Sequence, residues 1–556
     1  MCRRGVAVFA LFLCLVGRWP AVDGEDPYLY FTWNVTYGTI SPLGFPQQAI
    51  LINGQFPGPN INSTTNDNIV VNVYNFLDEP FLLSWNGIQQ RKNSWQDGVA
   101  GTNCPIPSGG NFTYHFQVKD QIGSFFYFPS VGTQKAAGGF GGLRVNSRLL
   151  IPVPFPAPAD DFTVLIGDWQ AKSHKSLTRR LDSGLALGRP AGVLINGHSG
   201  RDAATGRDDP PLFAVKAGQT YRFRICNVGT KTSLNFRIQD HSMKLVEMDG
   251  SHTMQNNYDS LDVHLGQCMS VLVAANRPPR DYYMVASTCF TKYLLTATAV
   301  IRYAGSTTAP PSQEIPPAPT GWAWSFNQWR SFRWNLTASA ARPNPQGSYH
   351  YGAIKITRTI KLVNSAGRVD GKRRYGLNGV SHVSSPTPFK LSEYFGITGR
   401  EFRYQIIGDE PSKPDAPMIA APNVINVTHR NYVEIILENP EPSVQAYHLN
   451  GYSFFAVGMG GGKWTPASRK GYNLLDAVSR HAIQVFPKSW SAIMLAFDNV
   501  GMWNLRSELL DRQYLGQQLY ISVVSPTRSI RDEYNMPPNA LLCGAVVGLP
   551  TPPPYS

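Results

Sequence analysis

Tyr221-Arg222-Phe223-Arg224-Ile225 sets an apolar residue at every second position. That is the period of a half-buried strand, because successive side chains point to opposite faces of a sheet. The stretch it belongs to, Thr220 to Val228, is followed by a second apolar run, Leu234 to His241. The same strand-loop-strand arrangement recurs as Asn68 to Leu77 with Phe81 to Gly87, and as Tyr432 to Glu438 with Tyr447 to Gly451. A second echo, Leu51-Ile52-Asn53-Gly54 against Leu194-Ile195-Asn196-Gly197, also points to internal duplication. A chain of 556 residues with 50 Gly, 43 Pro and few long helical patterns therefore reads as all-β, built from consecutive β-sandwich domains. The Pro-rich stretches Ile151 to Pro158 and Thr308 to Pro319 mark boundaries. The expected segments are 25–150, 151–310 and 311–556, the last containing a linker, a third domain and a C-terminal tail.

The N-terminus has the form of a secretory signal over residues 1–24: Arg3 and Arg4, the apolar run Val6 to Val16, then small residues from Ala21 to Gly24. That run is too short to span a bilayer, no later segment reaches a transmembrane length, and the apolar run Ala540 to Leu549 is a poor lipid-anchor signal. A soluble secreted protein is expected. N-x-S/T sequons at Asn34, Asn62, Asn111, Asn335 and Asn426 fit that route as glycosylation sites. Beyond the leader the cysteines are Cys104, Cys226, Cys268, Cys289 and Cys543, so at least one thiol stays unpaired within the chain. Removing Arg3, Arg4, Arg18 and Asp23 from 50 Lys+Arg and 37 Asp+Glu leaves 47 against 36, a basic mature protein. In a secreted protein that favours an acidic polysaccharide or anionic surface over nucleic acid, for which no recognition motif is present.

Four stretches carry the chemical signal. They are Ser84-Trp85-Asn86-Gly87, Phe126-Tyr127-Phe128-Pro129-Ser130, Gln445-Ala446-Tyr447-His448-Leu449-Asn450-Gly451-Tyr452, and the run from Trp503 through Arg506-Ser507-Glu508 and Arg512 to Gly516-Gln517. Their order and register resemble the ligand motifs of plant multicopper oxidases of the L-ascorbate oxidase type. Gly87-Ile88-Gln89-Gln90-Arg91, Ser94-Trp95-Gln96-Asp97-Gly98 and Asp120-Gln121-Ile122-Gly123-Ser124 are similar to the branch that includes pollen-specific and skewed-growth monocopper-oxidase-like proteins. The resemblance runs from about Tyr28 to the C-terminus. It implies three consecutive cupredoxin-like Greek-key β-sandwiches, copper as the family's cofactor, a Cys104–Cys543 disulfide, and a cell-wall or apoplastic setting.

Where that family reads H-W-H-G, F-Y-H-x-H, H-P-x-H-L-H-G-H and W-x-x-H-C-H-x-x-x-H-x-x-x-x-M/L, the ligand positions here hold other residues. They are Ser84, Asn86, Phe128, Ser130, Gln445, His448, Asn450, Arg506, Ser507, Glu508, Arg512 and Gln517, and only His448 is retained. Type 1 copper needs a cysteine thiolate with two imidazoles, and a guanidinium repels a cation. No catalytic or metal site is therefore expected, and His448 reads as a hydrogen-bonded core residue. His241, His252 and His264 read as structural. Arg506 and Glu508, two residues apart on one strand face, are expected to enter the former cluster cavity and bond to Asn86, Ser130 and Asn450. The competing expectation is an exposed Glu508–Arg512 pair at helical spacing. Trp95, Gln96 and Asp97 are expected to pack rather than to line a sugar-stacking surface groove, and Gly458 to Gly462 and Lys372-Arg373-Arg374 to form exposed loops. The function expected is a non-redox binding or structural module of the plant extracellular matrix, with acidic pectin as partner. The alternative is a copper-dependent oxidoreductase with a rearranged or partial site.

Overall fold

The computed structural model describes residues 26–200, 209–306, 315–338, 350–411 and 416–556. The leader expected at 1–24 and part of the boundary expected at Thr308 to Pro319 lie outside the described residues. Six sheets pack as three β-sandwiches built to one plan. In one sheet of each, the opening strand pairs in parallel with a later one: Tyr28–Ile40 with Asn68–Asn75, Asp161–Trp169 with Thr220–Asn227, and Arg358–Val369 with Tyr432–Asn439. In the facing sheet the parallel pairs are Ile61–Thr64 with Gly141–Asn146, Phe213–Val215 with Thr296–Tyr303, and Val424–Thr428 with Gln518–Val524. Parallel neighbours need long crossover connections, and such crossings between facing sheets are the Greek-key arrangement. Alternation places Ile69, Val71 and Val73 against Trp33, Trp85 and Tyr127 in the first core, and Tyr221, Phe223 and Ile225 in the second. Each such burial contributes about 1.5–3 kcal/mol.

The duplication reaches single hydrogen bonds. Asn75, Asn227 and Asn439 close the repeated strand and are buried. Each Nδ2 donates to a loop carbonyl and to one across the sandwich: Glu79 and Ile106 (2.9 and 2.9 Å), Thr232 and Val263 (3.1 and 2.9 Å), Ser443 and Val485 (2.7 and 3.2 Å). Each Oδ1 accepts from the backbone two residues on, at Leu77, Gly229 and Glu441. The Leu-Ile-Asn-Gly echo is likewise one turn used twice. Asn53 and Gly54, and Asn196 and Gly197, all have positive φ, the type I′ hairpin turn that favours this pair. Each turn asparagine accepts an N–H from a neighbouring strand at 2.7 Å, from Asn34 and Leu165 respectively.

Cys104 is joined to Cys543, and Cys226 to Cys268 across adjacent antiparallel strands, while Cys289 is free. Closing a long loop in this way lowers the entropy of the unfolded chain. Two surface expectations fail. Gly458 to Gly462 is no loop: Phe454–Gly461 is a strand, and the rings of Tyr472 and Trp490 lie 2.6 and 2.7 Å from where a Cβ on Gly458 and Gly460 would stand. Lys372-Arg373-Arg374 opens the strand Lys372–Leu377, where Arg374 Nη2 donates to the His382 carbonyl at 3.1 Å.

Candidate functional site

The strand Gly501–Ser507 runs beside Gln445–Leu449, setting Arg506 opposite His448. Alternation then sends Arg506 and Glu508 to one side and Ser507 to the other. On the first side, in the contact between the first and third sandwiches, Arg506 Nη1 donates to Asn450 Oδ1 at 2.5 Å, and Asn450 Nδ2 donates to Asp97 Oδ2 at 2.7 Å. Arg506 Nη2 lies 3.0 Å from Glu508 Oε1, an ion pair whose angle does not make a hydrogen bond. Glu508 Oε2 takes a second cation, Lys135 Nζ, at 3.3 Å. Both cations lie over the Phe128 ring, Lys135 at 4.8 Å and Arg506 at 5.2 Å, so the phenyl that replaces an imidazole supplies cation–π contact. All three charged side chains are under 5 % exposed.

Electrostatics follow from that burial. Burial alone would raise the Glu508 carboxyl, but Arg506 and Lys135 outweigh it and hold it below the ordinary carboxylate range. Burial lowers the Lys135 ammonium despite the carboxylate beside it. Asp97 is pushed up to about 7 by burial, against the Asn450 bond and the Arg506 charge. Burial, with Arg506 and His481 alongside, drives His448 well below its ordinary value. Its Nδ1 meets His481 Nδ1 at 3.3 Å, and among the described residues the Nε2 atoms of both rings find no hydrogen-bond partner, nor do Ser84 Oγ, Asn86 Oδ1 and Asp97 Oδ1.

On the other side of the strand the contacts are neutral. Gln517 Nε2 donates to Gln445 Oε1 at 3.0 Å and to the Tyr447 hydroxyl at 2.9 Å, while Ser507 Oγ accepts from the Leu509 N–H at 3.3 Å. Arg512 turns away, binding Glu441 through both Nη atoms (2.7 and 2.5 Å) and stacking 3.8 Å over Tyr375.

The structure thus joins Arg506, Glu508 and Asn450 as expected, but not Asn86 or Ser130. Asn86 Nδ2 makes a 3.5 Å contact with the Gly266 carbonyl, and Ser130 Oγ donates to the Gly98 carbonyl at 2.5 Å. The exposed Glu508–Arg512 pair does not form: Glu508 precedes the helix Leu510–Tyr514 and points inward. Trp95 packs, 2 % exposed, with Nε1 donating to the Tyr534 carbonyl at 3.0 Å. His241 and His264 bond within the second sandwich, to Tyr303 and Ser233, and His252 packs edge-on against Phe155. Lys135 and His481 were missed, and Asp97, weighed beside Trp95 and Gln96 for packing or a surface groove, was not expected in this cavity. A lysine and an aspartate in Gly-rich, strand-free stretches look like solvated loop residues, and only the register of the fold carries them inward.

Family models described as "Multicopper oxidase" match residues 34–149, 160–306 and 386–529, most of the chain. The chain belongs to the multicopper oxidase family. It is 63 % identical over 551 residues to an L-ascorbate oxidase homolog of Brassica napus, covering 99 % of each chain. It is 49 % identical to the Arabidopsis thaliana monocopper oxidase-like protein SKU5, over 95 % of this chain and 91 % of that one. The crystal structure of Fet3p, a multicopper oxidase that functions in iron import, superposes with a TM-score of 0.74 at 20 % identity, covering 90 % of each chain, a likeness of fold. The family implies copper, and the donor set of this multicopper oxidase relative does not fit it. Ser507, Gln445 and Gln517 offer a hydroxyl and amides, whereas type 1 copper takes a thiolate and imidazoles, and the buried cations Lys135 and Arg506 beside Glu508 would repel a metal ion. Among the described residues no group of three or more His, Cys, Asp and Glu side chains is placed to hold a metal ion.

Proposed function

We propose that this protein is a secreted ascorbate-oxidase-like glycoprotein that has lost nearly all copper ligands of its scaffold. It acts as a non-redox binding or structural module of the plant extracellular matrix, in cell-wall expansion or pollen-tube growth. The observation that carries this reading is the Lys135–Glu508–Arg506 ionic chain in the former cluster cavity. Side chains now supply the charge balance that a scaffold with imidazoles would leave to metal ions, and Ser507 cannot carry an electron as a thiolate does. An extracellular setting is supported by two disulfides and by sequon asparagines of which Asn34, Asn62 and Asn111 are exposed.

Oxygen uptake by the purified glycoprotein with ascorbate or phenols is the test, and none above a protein-free control is expected. Sustained turnover after copper loading would replace this reading with the alternative, a copper-dependent oxidoreductase with a rearranged site. The basic mature chain makes acidic pectin the proposed partner. Retention on de-esterified pectin should fall as salt is raised; salt-independent retention would remove the charge argument.

A further inference from the structure

A pocket of about 330 Å³ opens between the second and third sandwiches, beside the helix Trp322–Ser331 and the strand Phe454–Gly461. None of its lining residues is a former ligand position. One part of its lining is apolar: Met248, Trp329, Phe332, Val457, Met459 and Val478. Its polar lining is Asn473, whose amide already bonds to Asp476 and to the Leu475 and Asp476 N–H groups, and three guanidinium groups. Arg480, 1 % exposed overall, lines the pocket with its Nε on Asp249 at 3.3 Å and its Nη2 on Gln484 at 3.4 Å. Arg333 pairs with Asp476 at 2.6 Å. Arg330 lies 4.3 Å over the Phe326 ring, and among the described residues no carboxylate pairs with it. Three cations against two carboxylates leave the pocket one positive charge in excess, on Arg330.

A concave apolar site with a few convergent polar groups is the usual form of a small-ligand pocket, and guanidinium is the side chain suited to planar recognition of carboxylate. A flat apolar body with a single carboxylate satisfies both the apolar lining and the guanidinium of Arg330, the one without a carboxylate partner among the described residues. We propose that this pocket binds a small aromatic monocarboxylate, its ring between Trp329 and Met459 and its carboxylate on Arg330. The site is independent of the redox silence argued above.

The test is isothermal titration calorimetry, with Trp fluorescence as second readout, on the full-length glycoprotein with 2-naphthoate and, as neutral isostere, 2-naphthamide. Saturable one-site binding of 2-naphthoate is expected, at least about tenfold tighter than the amide, because the carboxylate makes a charge-assisted hydrogen bond that the amide cannot. Arg330→Ala, at an exposed position, should weaken 2-naphthoate by a similar factor and leave the amide unchanged. Absence of saturable binding at millimolar 2-naphthoate, equal affinity for the two probes, or unaltered carboxylate binding by Arg330→Ala would each overturn the proposal. Circular dichroism and melting of Arg330→Ala show whether the variant is folded; if it is not, Arg330→Gln and the acid-to-amide affinity ratio on the native chain decide the question.

Discussion

The two faces of the strand Gly501–Ser507 are filled differently. The face toward the first sandwich, where the family places a cluster of several ions, holds a buried row of ionisable side chains joined through one amide: Lys135, Glu508, Arg506, Asn450 and Asp97. The opposite face, where the family places a single ion, holds neutral amide and hydroxyl contacts among Gln445, Tyr447, Ser507 and Gln517. The two fillings differ in what they risk. A buried ion chain is stable only while every charge keeps its partner, whereas a neutral pair tolerates loss of one member at the cost of an ordinary hydrogen bond.

Breaking the charged side should have the largest effect. Glu508→Ala leaves Arg506 and Lys135 as buried like charges without their shared anion, and should destabilise by about 3–5 kcal/mol in urea unfolding. Loss under about 1 kcal/mol would mean that the carboxylate does not balance them. Removing all three charges together, as Lys135→Met, Arg506→Met and Glu508→Leu, should recover most of that loss, since a well-packed apolar replacement of a buried ion set is often neutral.

The next effect is pH dependence. Asp97 has a folded-state pKa raised to about 7, above the ordinary unfolded value near 3.9, so between those values the native state holds a proton that the unfolded chain has lost. Stability therefore falls as pH rises from about 4 to 7, by an order of magnitude of a few kcal/mol if Asp97 acted alone. Asp97→Asn should flatten that slope in melting temperature measured from pH 5 to 8. An unchanged slope would show that the carboxyl is ionised throughout.

On the neutral face, Gln517→Leu should cost about 1–2 kcal/mol by stranding Gln445 and Tyr447, measured by the same urea titration. Smallest is Arg512→Ala. Its pair with Glu441 sits near the surface, with side chains 12 % and 20 % exposed, so about 1 kcal/mol is expected in a double-mutant cycle.

How much of this was legible in the sequence differs between backbone and cavity. Alternation in Tyr221–Ile225 and the repeated Asn-Gly pair follow local rules, so the strands and turns could be read directly. The family resemblance was legible because a motif register is itself local. The partners of the replacements were not. Lys135 meets Glu508, and Asp97 meets Asn450, across hundreds of residues of chain, and nothing in their neighbours names those partners. Arg512, expected in the competing reading to pair with Glu508, instead takes Glu441 and Tyr375, partners distant in the chain. The Cys226–Cys268 bridge depended on which strands become neighbours, and so awaited the sheet register. A signal that was present and overlooked is the asparagine closing each repeated strand, at 75, 227 and 439.

Copper content per chain addresses the central claim most directly, measured by elemental mass spectrometry after loading the purified glycoprotein with copper and desalting it. A cavity held by Lys135, Glu508 and Arg506 should retain well under one ion per chain, and no more in the native protein than in Glu508→Ala. Retention of about one ion or more, lost when His448 is replaced by alanine, would show that the scaffold still binds copper and would contradict the account.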